Sequence, residues 1–162
     1  MSNDSILKGV QLVNAQGETS QGDVAVQGTL LAFYFAADWC PDCRNFLPTL
    51  NEFYEQANAE KRQLEVVFVG SDRSEADQLA HFKDKQGPWW AVPFSDTATR
   101  NALKHKYGVC LRREQEEVGV AEIKAGIPAL VIAQQNGGLV ALFTDQDLEK
   151  NGLAPVDALL KA

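Results

Sequence analysis

"LLAFYFAADWCPDCRNF", residues 30–46, decides the fold. From Leu30 to Ala37 it is apolar and carries no charge. Such a run suits a strand whose two faces are both covered by helices, as in a parallel sheet. Trp39, Cys40 and Cys43 follow, with Pro41 and Asp42 between the cysteines. Pro41 fits the first turn of a helix, where its missing N–H costs no hydrogen bond. Phe46, Leu47, Leu50, Phe53 and Tyr54 then recur at helical spacing, which predicts a helix kinked at Pro48. The two cysteines therefore stand where a buried strand turns into a helix.

That position has chemical consequences. The first turn of a helix offers unpaired N–H groups and a partial positive charge, which stabilise a thiolate. Cys40 is then the nucleophile that attacks a disulfide. Cys43, one turn on and more sheltered, attacks the resulting mixed disulfide. Asp42 suits the helix dipole but opposes a thiolate beside it. A structural zinc site would need about four ligands. Here these would be Cys40, Cys43, Cys110 and either His81 or His105, with no second paired-ligand motif. Three cysteines make no disulfide framework. Cys110 reads as an inert packed thiol. His81 and His105 lie in helical segments and are expected to face solvent, as is Asp38. No metal or organic cofactor is implied.

The rest of the chain supplies the sheet. "LEVVFVG" (64–70) predicts a second buried strand, and "SEADQLAHFKDK" a helix capped by Ser74 with Asp77. Strand, helix, strand, helix is the order that parallel pairing requires. "DTATRNALKHKYG" predicts a helix capped by Asp96 or Thr97 and stopped near Gly108. "PALVIA" and "LVALFT" predict strands around "QQNGG", where Asn136-Gly137 signals a hairpin. "APVDALLKA" predicts a terminal helix. Of Trp89 and Trp90, one is expected in the core, while either could flank the cysteines. No repeat, linker or low-complexity tract interrupts residues 1–162, so the expectation is one α/β domain with a mixed sheet.

Composition agrees with that reading. The chain has 162 residues, of which 45% are hydrophobic, enough for one domain with a sizeable core. Its formal net charge of -7 disfavours binding to a phosphate backbone. No stretch is long and apolar enough to span a bilayer, and the N-terminus lacks the pattern of a secretory signal. A cytoplasmic monomer, with no nucleic acid or membrane partner, is expected.

"FYFAADWCPDCRNFLPTLNEFYEQ", "LEVVFVGSDRSEADQLAHF", "WWAVPFSD" and "GIPALVI" together resemble the tryparedoxin/nucleoredoxin branch of the thioredoxin superfamily. The likeness runs in order from about residue 7 to the end. It implies a thioredoxin fold, a central mixed β-sheet flanked by helices, with an N-terminal hairpin that "VQLVNAQGETSQGDVAV" would supply. It also implies thiol–disulfide exchange with a protein disulfide and a thiol reductant or reductase. Cys40 and Cys43 would be catalytic. A cis bond before Pro128 would face them, and Ile127 and Pro128 would contact substrate. Trp39 would wall the attacking thiol, with Pro41 and Asp42 beside it on the substrate surface. A redox-regulated binding module with little turnover is the alternative.

The chain also departs from that branch. Asp42 stands where tryparedoxins usually have Pro, and Ser71 near where they carry a Trp. Tyr34 stands where thioredoxins often bury a carboxylate, as it does in tryparedoxins. The Arg that tryparedoxins use late in the chain has no clear match in "LFTDQDLEKNG". "CLRREQEEVGVAEIKA", residues 110–125, is an insertion before the Pro128 loop. Charged early and mildly apolar later, it reads either as a solvated surface excursion or as a lid or partner contact.

Overall fold

In a computed structural model of the protein, the described residues are 4–162. The chain opens with β1 (Gln11–Val13) and β2 (Thr19–Gln21), an antiparallel hairpin, and a single turn, α1 (Gly22–Ala25). The deciding stretch forms β3 (Leu30–Ala36) and α2 (Pro41–Ala57), the latter continuing through Pro48. Next come β4 (Leu64–Gly70), α3 (Glu75–Lys85) and β5 (Trp90–Ala91). Ser74 caps α3 by accepting the Asp77 N–H at 3.1 Å. Asp96 caps α4 (Thr97–Tyr107), which ends at Gly108 in the left-handed conformation, φ 70°. Glycine adopts that conformation without a Cβ clash, so the helix stops there.

A short 3-10 turn (Arg112–Glu114) and α5 (Gln115–Val118) follow, then β6 (Ala129–Ala133) and β7 (Leu139–Phe143). Gly137, φ 90°, turns the chain between these last two strands. The chain ends with α6 (Asp145–Asn151) and α7 (Ala154–Lys161). Among the described residues the strands form one seven-stranded sheet in the order β2-β1-β5-β4-β3-β6-β7. β3 is parallel to β4 and antiparallel to β6, and β4 is parallel to β5, so the sheet is mixed.

β3 sits near the centre, and its alternation divides the core. Ala32, Tyr34 and Ala36 face Phe46, Leu47 and Leu50 of α2, together with Phe82, Leu148 and Val156. Leu31, Phe33 and Phe35 face the opposite side, with Leu103 and Tyr107 of α4. Successive side chains of a strand point to opposite faces. A strand covered on both sides must therefore be apolar throughout, as residues 30–37 are.

Several features differ from the sequence reading. α6 was not anticipated. It is short, and it is fixed by Thr144, which accepts the Asp147 N–H while Asp147 accepts the Thr144 N–H. His81 does not face solvent. It is buried, with Nδ1 3.1 Å from Asp72 Oδ2 and its ring edge-on to Phe68.

The 110–125 segment is not a solvated excursion. Its ends are tied together by Cys110 N–H to the Ala125 carbonyl at 3.1 Å and Lys124 N–H to the Gly108 carbonyl at 2.8 Å. Cys110, Val118 and Val120 form a small core of their own with Ile123. Glu114 reaches inward. It accepts from Lys104 Nζ at 2.7 Å, Ser71 Oγ at 3.0 Å and the Leu111 N–H at 2.9 Å. Lys104 is 1% exposed, so Glu114 supplies the charge that a buried ammonium requires. Burial pulls the Lys104 ammonium below its ordinary range, and Glu114 offsets part of that. Burial alone would raise Glu114, but the bonds from Leu111, Lys104 and Ser71 outweigh it and hold the carboxyl low.

Two stability predictions follow from this packing. Glu114→Gln leaves the buried Lys104 charge uncompensated and is expected to cost about 3 kcal/mol in urea unfolding. Because folding lowers the Glu114 pKa, its contribution is present above the ordinary carboxylate range. It is lost as pH falls through the lowered folded value, so the variant should show a shallower acid limb. Among the described residues Tyr34 Oη is buried without a hydrogen-bond partner, so Tyr34→Phe is expected to be neutral or to stabilise by about 1 kcal/mol. A loss of stability in Tyr34→Phe would show that the hydroxyl has a partner.

Candidate active site

The β3–α2 junction places the two thiols as the spacing requires. Cys40 is the residue that caps α2, in extended conformation, and Pro41 opens the helix. Cys40 Sγ accepts the Cys43 N–H at 3.2 Å, so one of the unpaired donors of the first turn is directed at the sulfur. On its other side Cys40 Sγ lies 3.9 Å from the carbonyl oxygen of Ile127. The Ile127-Pro128 bond is cis, and β6 begins at Ala129. Pro128 itself is buried and Ile127 half-buried, so the Ile127 backbone is the part that faces the sulfur.

The thiols differ in exposure and in ionisation. Cys40 is 6% exposed and Cys43 1%, and both are free. Burial pushes the Cys43 thiol far above the ordinary thiol range, and its hydrogen bond with Cys40 acts in the same direction. The Cys43 thiol is therefore held in its protonated form. Pro41 and Asp42 are exposed beside Cys40. Asp42 pairs with Asp145 at the start of α6. Burial, then the hydrogen bond with Asp42, raises the Asp145 carboxyl to about 6. The two share an open groove of about 350 Å³ with Asn45, Phe46, Thr49 and Glu149 among its lining. Tyr34 lies below the thiols, its hydroxyl pushed up first by burial and then by Cys43 and Cys40.

The other wall is Trp39. Its indole Nε1–H donates to the Ser71 carbonyl at 3.0 Å, and the guanidinium carbons of Arg113 and Arg73 lie 4.8 Å and 5.3 Å from the ring centroid. The preceding residue is fixed as well. The Asp38 N–H donates to Asp72 Oδ1 at 2.8 Å, and the Asp38 carboxylate pairs with Lys85 at 2.7 Å, leaving it half-buried instead of free in solvent. Asp72, His81, Ser71, Arg113 and Asp145 thus belong to the site's surroundings although the pattern around the cysteines did not name them. "SDRS", directly after a buried strand and level with the end of β3, was the available signal.

The candidates for a zinc site are not brought together. Cys110 sits in the separate small core of the insertion, raised by burial. His81 bonds Asp72, and His105 Nδ1 lies 3.1 Å from the Val118 carbonyl. Among the described residues no group of three or more His, Cys, Asp or Glu side chains could hold a metal ion. Trp89 is a core residue, edge-on to Tyr54 at 5.2 Å, and Trp90 packs on the α4 side of the sheet.

This geometry can be set against known proteins. The family model described as thioredoxin-like matches residues 28–139. Nucleoredoxin of Danio rerio is 33% identical over 129 residues, covering 76% of this chain and 27% of the relative. The chain thus spans about a quarter of the length of the nucleoredoxins it matches. Tryparedoxin of Trypanosoma brucei brucei is 40% identical over 100 residues, covering 60% of this chain and 65% of the relative. The crystal structure of a thioredoxin from Wuchereria bancrofti superposes with a TM-score of 0.72 at 33% identity, over 97% of this chain and 96% of that one. The sheet order, the strand-to-helix position of the cysteines and the matched span agree: the chain has the thioredoxin fold and belongs to the thioredoxin-like family.

Proposed function

We propose that the protein is a thiol–disulfide oxidoreductase that reduces disulfides of protein substrates, with Cys40 and Cys43 as its redox pair. The observation that carries this reading is the pair of contacts at Cys40 Sγ: the Cys43 N–H at 3.2 Å and the Ile127 carbonyl at 3.9 Å. The first stabilises negative charge on the sulfur. The second sets an unpaired backbone edge beside it, along which an extended substrate chain can lie.

The exchange proceeds in two steps. The Cys40 thiolate attacks one sulfur of the substrate disulfide. A Cys40–substrate disulfide forms and the other substrate sulfur leaves as a thiolate. Cys43 gives up its proton to that departing thiolate or to water, and its sulfur attacks Cys40 Sγ. The Cys40–Cys43 disulfide forms, the second substrate thiolate is released, and the substrate has gained two electrons. A thiol reductant or a reductase returns the pair to the dithiol. The high Cys43 pKa serves this order, because a protonated Cys43 does not compete for the first attack.

Ile127, Pro41 and Asp42 offer the surface for the substrate chain, with Trp39 at its edge and Pro128 supporting Ile127 from below. The reading supposes a monomer working in a reducing compartment such as the cytoplasm, where thiols persist. The near-burial of Cys40, at 6% exposure, favours one alternative, a binding module that docks partners with little turnover.

Disulfide reduction by purified variants separates the two. Cys40→Ser is expected to fall to the uncatalysed background. Cys43→Ser is expected to accumulate a Cys40–substrate mixed disulfide, visible as an added mass, with no turnover. Full activity in Cys40→Ser would overturn the assignment. Reversible Cys40–Cys43 oxidation without catalysed reduction of any substrate would favour the binding module.

A further inference from the structure

We infer that Arg113 and Arg73, gathered over Trp39, form a carboxylate-binding wall beside Cys40 that selects disulfides carried on acidic peptide chains. The inference deepens the exchange reading above by giving the charge of its substrate.

The wall is built around Ser71. Its carbonyl takes the Trp39 indole N–H at 3.0 Å, and its hydroxyl donates to Glu114 at 3.0 Å. Glu114 is held in turn by buried Lys104. Arg113 directly precedes Glu114, and Arg73 lies two residues after Ser71. The insertion is thereby moored to the loop that positions Trp39, with its guanidinium over the indole. This explains why 110–125 is docked by a buried ion pair and does not trail in solvent.

The charge pattern points to an anion. Among the described residues neither Arg73 nor Arg113 forms an ion pair, and both are exposed. Each guanidinium keeps a planar fork of donors that matches a carboxylate, while its place over the ring holds it at the indole. Three acids around Trp39 are engaged: Glu114 with Lys104, Asp38 with Lys85, and Asp72 with His81 and the Asp38 N–H, while Glu75, two residues after Arg73, is exposed. Glu117 on α5 takes an Asn101 side-chain bond at 3.4 Å, and Glu116 is exposed. The other side of Cys40 carries Asp42, Asp145 and Glu149. In a chain of net charge -7, two unpaired cations beside the nucleophile form a local reversal of sign. A substrate chain across Cys40 would place its acidic residues toward Trp39 and away from Asp42.

Two assays test this and separate it from the exchange reading. In the first, Cys40→Ser protein, which cannot exchange, is titrated with strand peptides that carry Ser for Cys and are flanked by Glu, Gln or Lys. The Trp39 indole N–H resonance reports binding. The Glu peptide is expected to bind roughly fivefold more tightly than the Gln peptide at low ionic strength. That advantage should shrink with added salt and vanish when Arg73→Gln and Arg113→Gln are combined. In the second, the ratio of kcat/KM for Glu-flanked over Gln-flanked peptide disulfides is measured in the otherwise unaltered protein and in the double variant. It is expected to fall from about fivefold to near one. Equal binding of the three peptides, or a Glu preference that survives the double substitution, would overturn the wall. A Glu preference in binding with no reduction of any peptide disulfide would leave the wall standing and refute the exchange reading.

Discussion

Cys40 caps the helix whose first turn is directed at its own sulfur. Its sulfur takes the Cys43 N–H at 3.2 Å, so the unpaired end of α2 is satisfied by the atom that needs its positive potential. For that bond to exist, α2 must begin one residue after Cys40, and β3 must deliver Cys40 to that point without slipping. The all-apolar β3 is held between β4 and β6, with Phe33 opposite Val67 on one side and Val131 on the other. A shift of one residue would exchange Tyr34 and Phe33 between the two cores, which have different shapes and different partners. The surroundings of the Cys40 thiol therefore depend on the register of the central strand.

The loop after β4 is the second support of the site. Ser71 and Asp72 leave the sheet level with the end of β3, because the two strands are parallel and in register from Leu30↔Leu64 to Ala36↔Gly70. Ser71 holds the Trp39 indole, and Asp72 holds the Asp38 N–H while bonded to buried His81. Polar groups so buried cost free energy unless they are paired. The His81–Asp72 pair meets that requirement while fixing the backbone ahead of Cys40. The same loop, through Ser71 Oγ, fastens the insertion.

The electrostatics around Cys40 are unequal on its two sides. Burial, then the hydrogen bond with Asp42, raises Asp145 to about 6, while Arg73 and Arg113 are gathered over Trp39.

Much of this was legible in the sequence. The cysteines at a strand-to-helix junction, the strand over 64–70, the caps at Ser74 and Asp96, the hairpin at Gly137 and the cis bond before Pro128 were each expected, the last through family resemblance. These features rest on local rules: apolar runs, capping side chains, glycine in a left-handed turn. What the sequence hid depends on partners far away along the chain. His81 read as a surface histidine because Asp72 is on another element. The docking of residues 110–125 was not legible because Lys104 and Ser71, which hold Glu114, come from α4 and the β4 loop. Local pattern sets which elements form and where the thiols stand on them. Only the folded chain decides which buried charges find partners, because that pairing joins groups far apart in sequence, 43 residues in the case of Ser71 and Glu114.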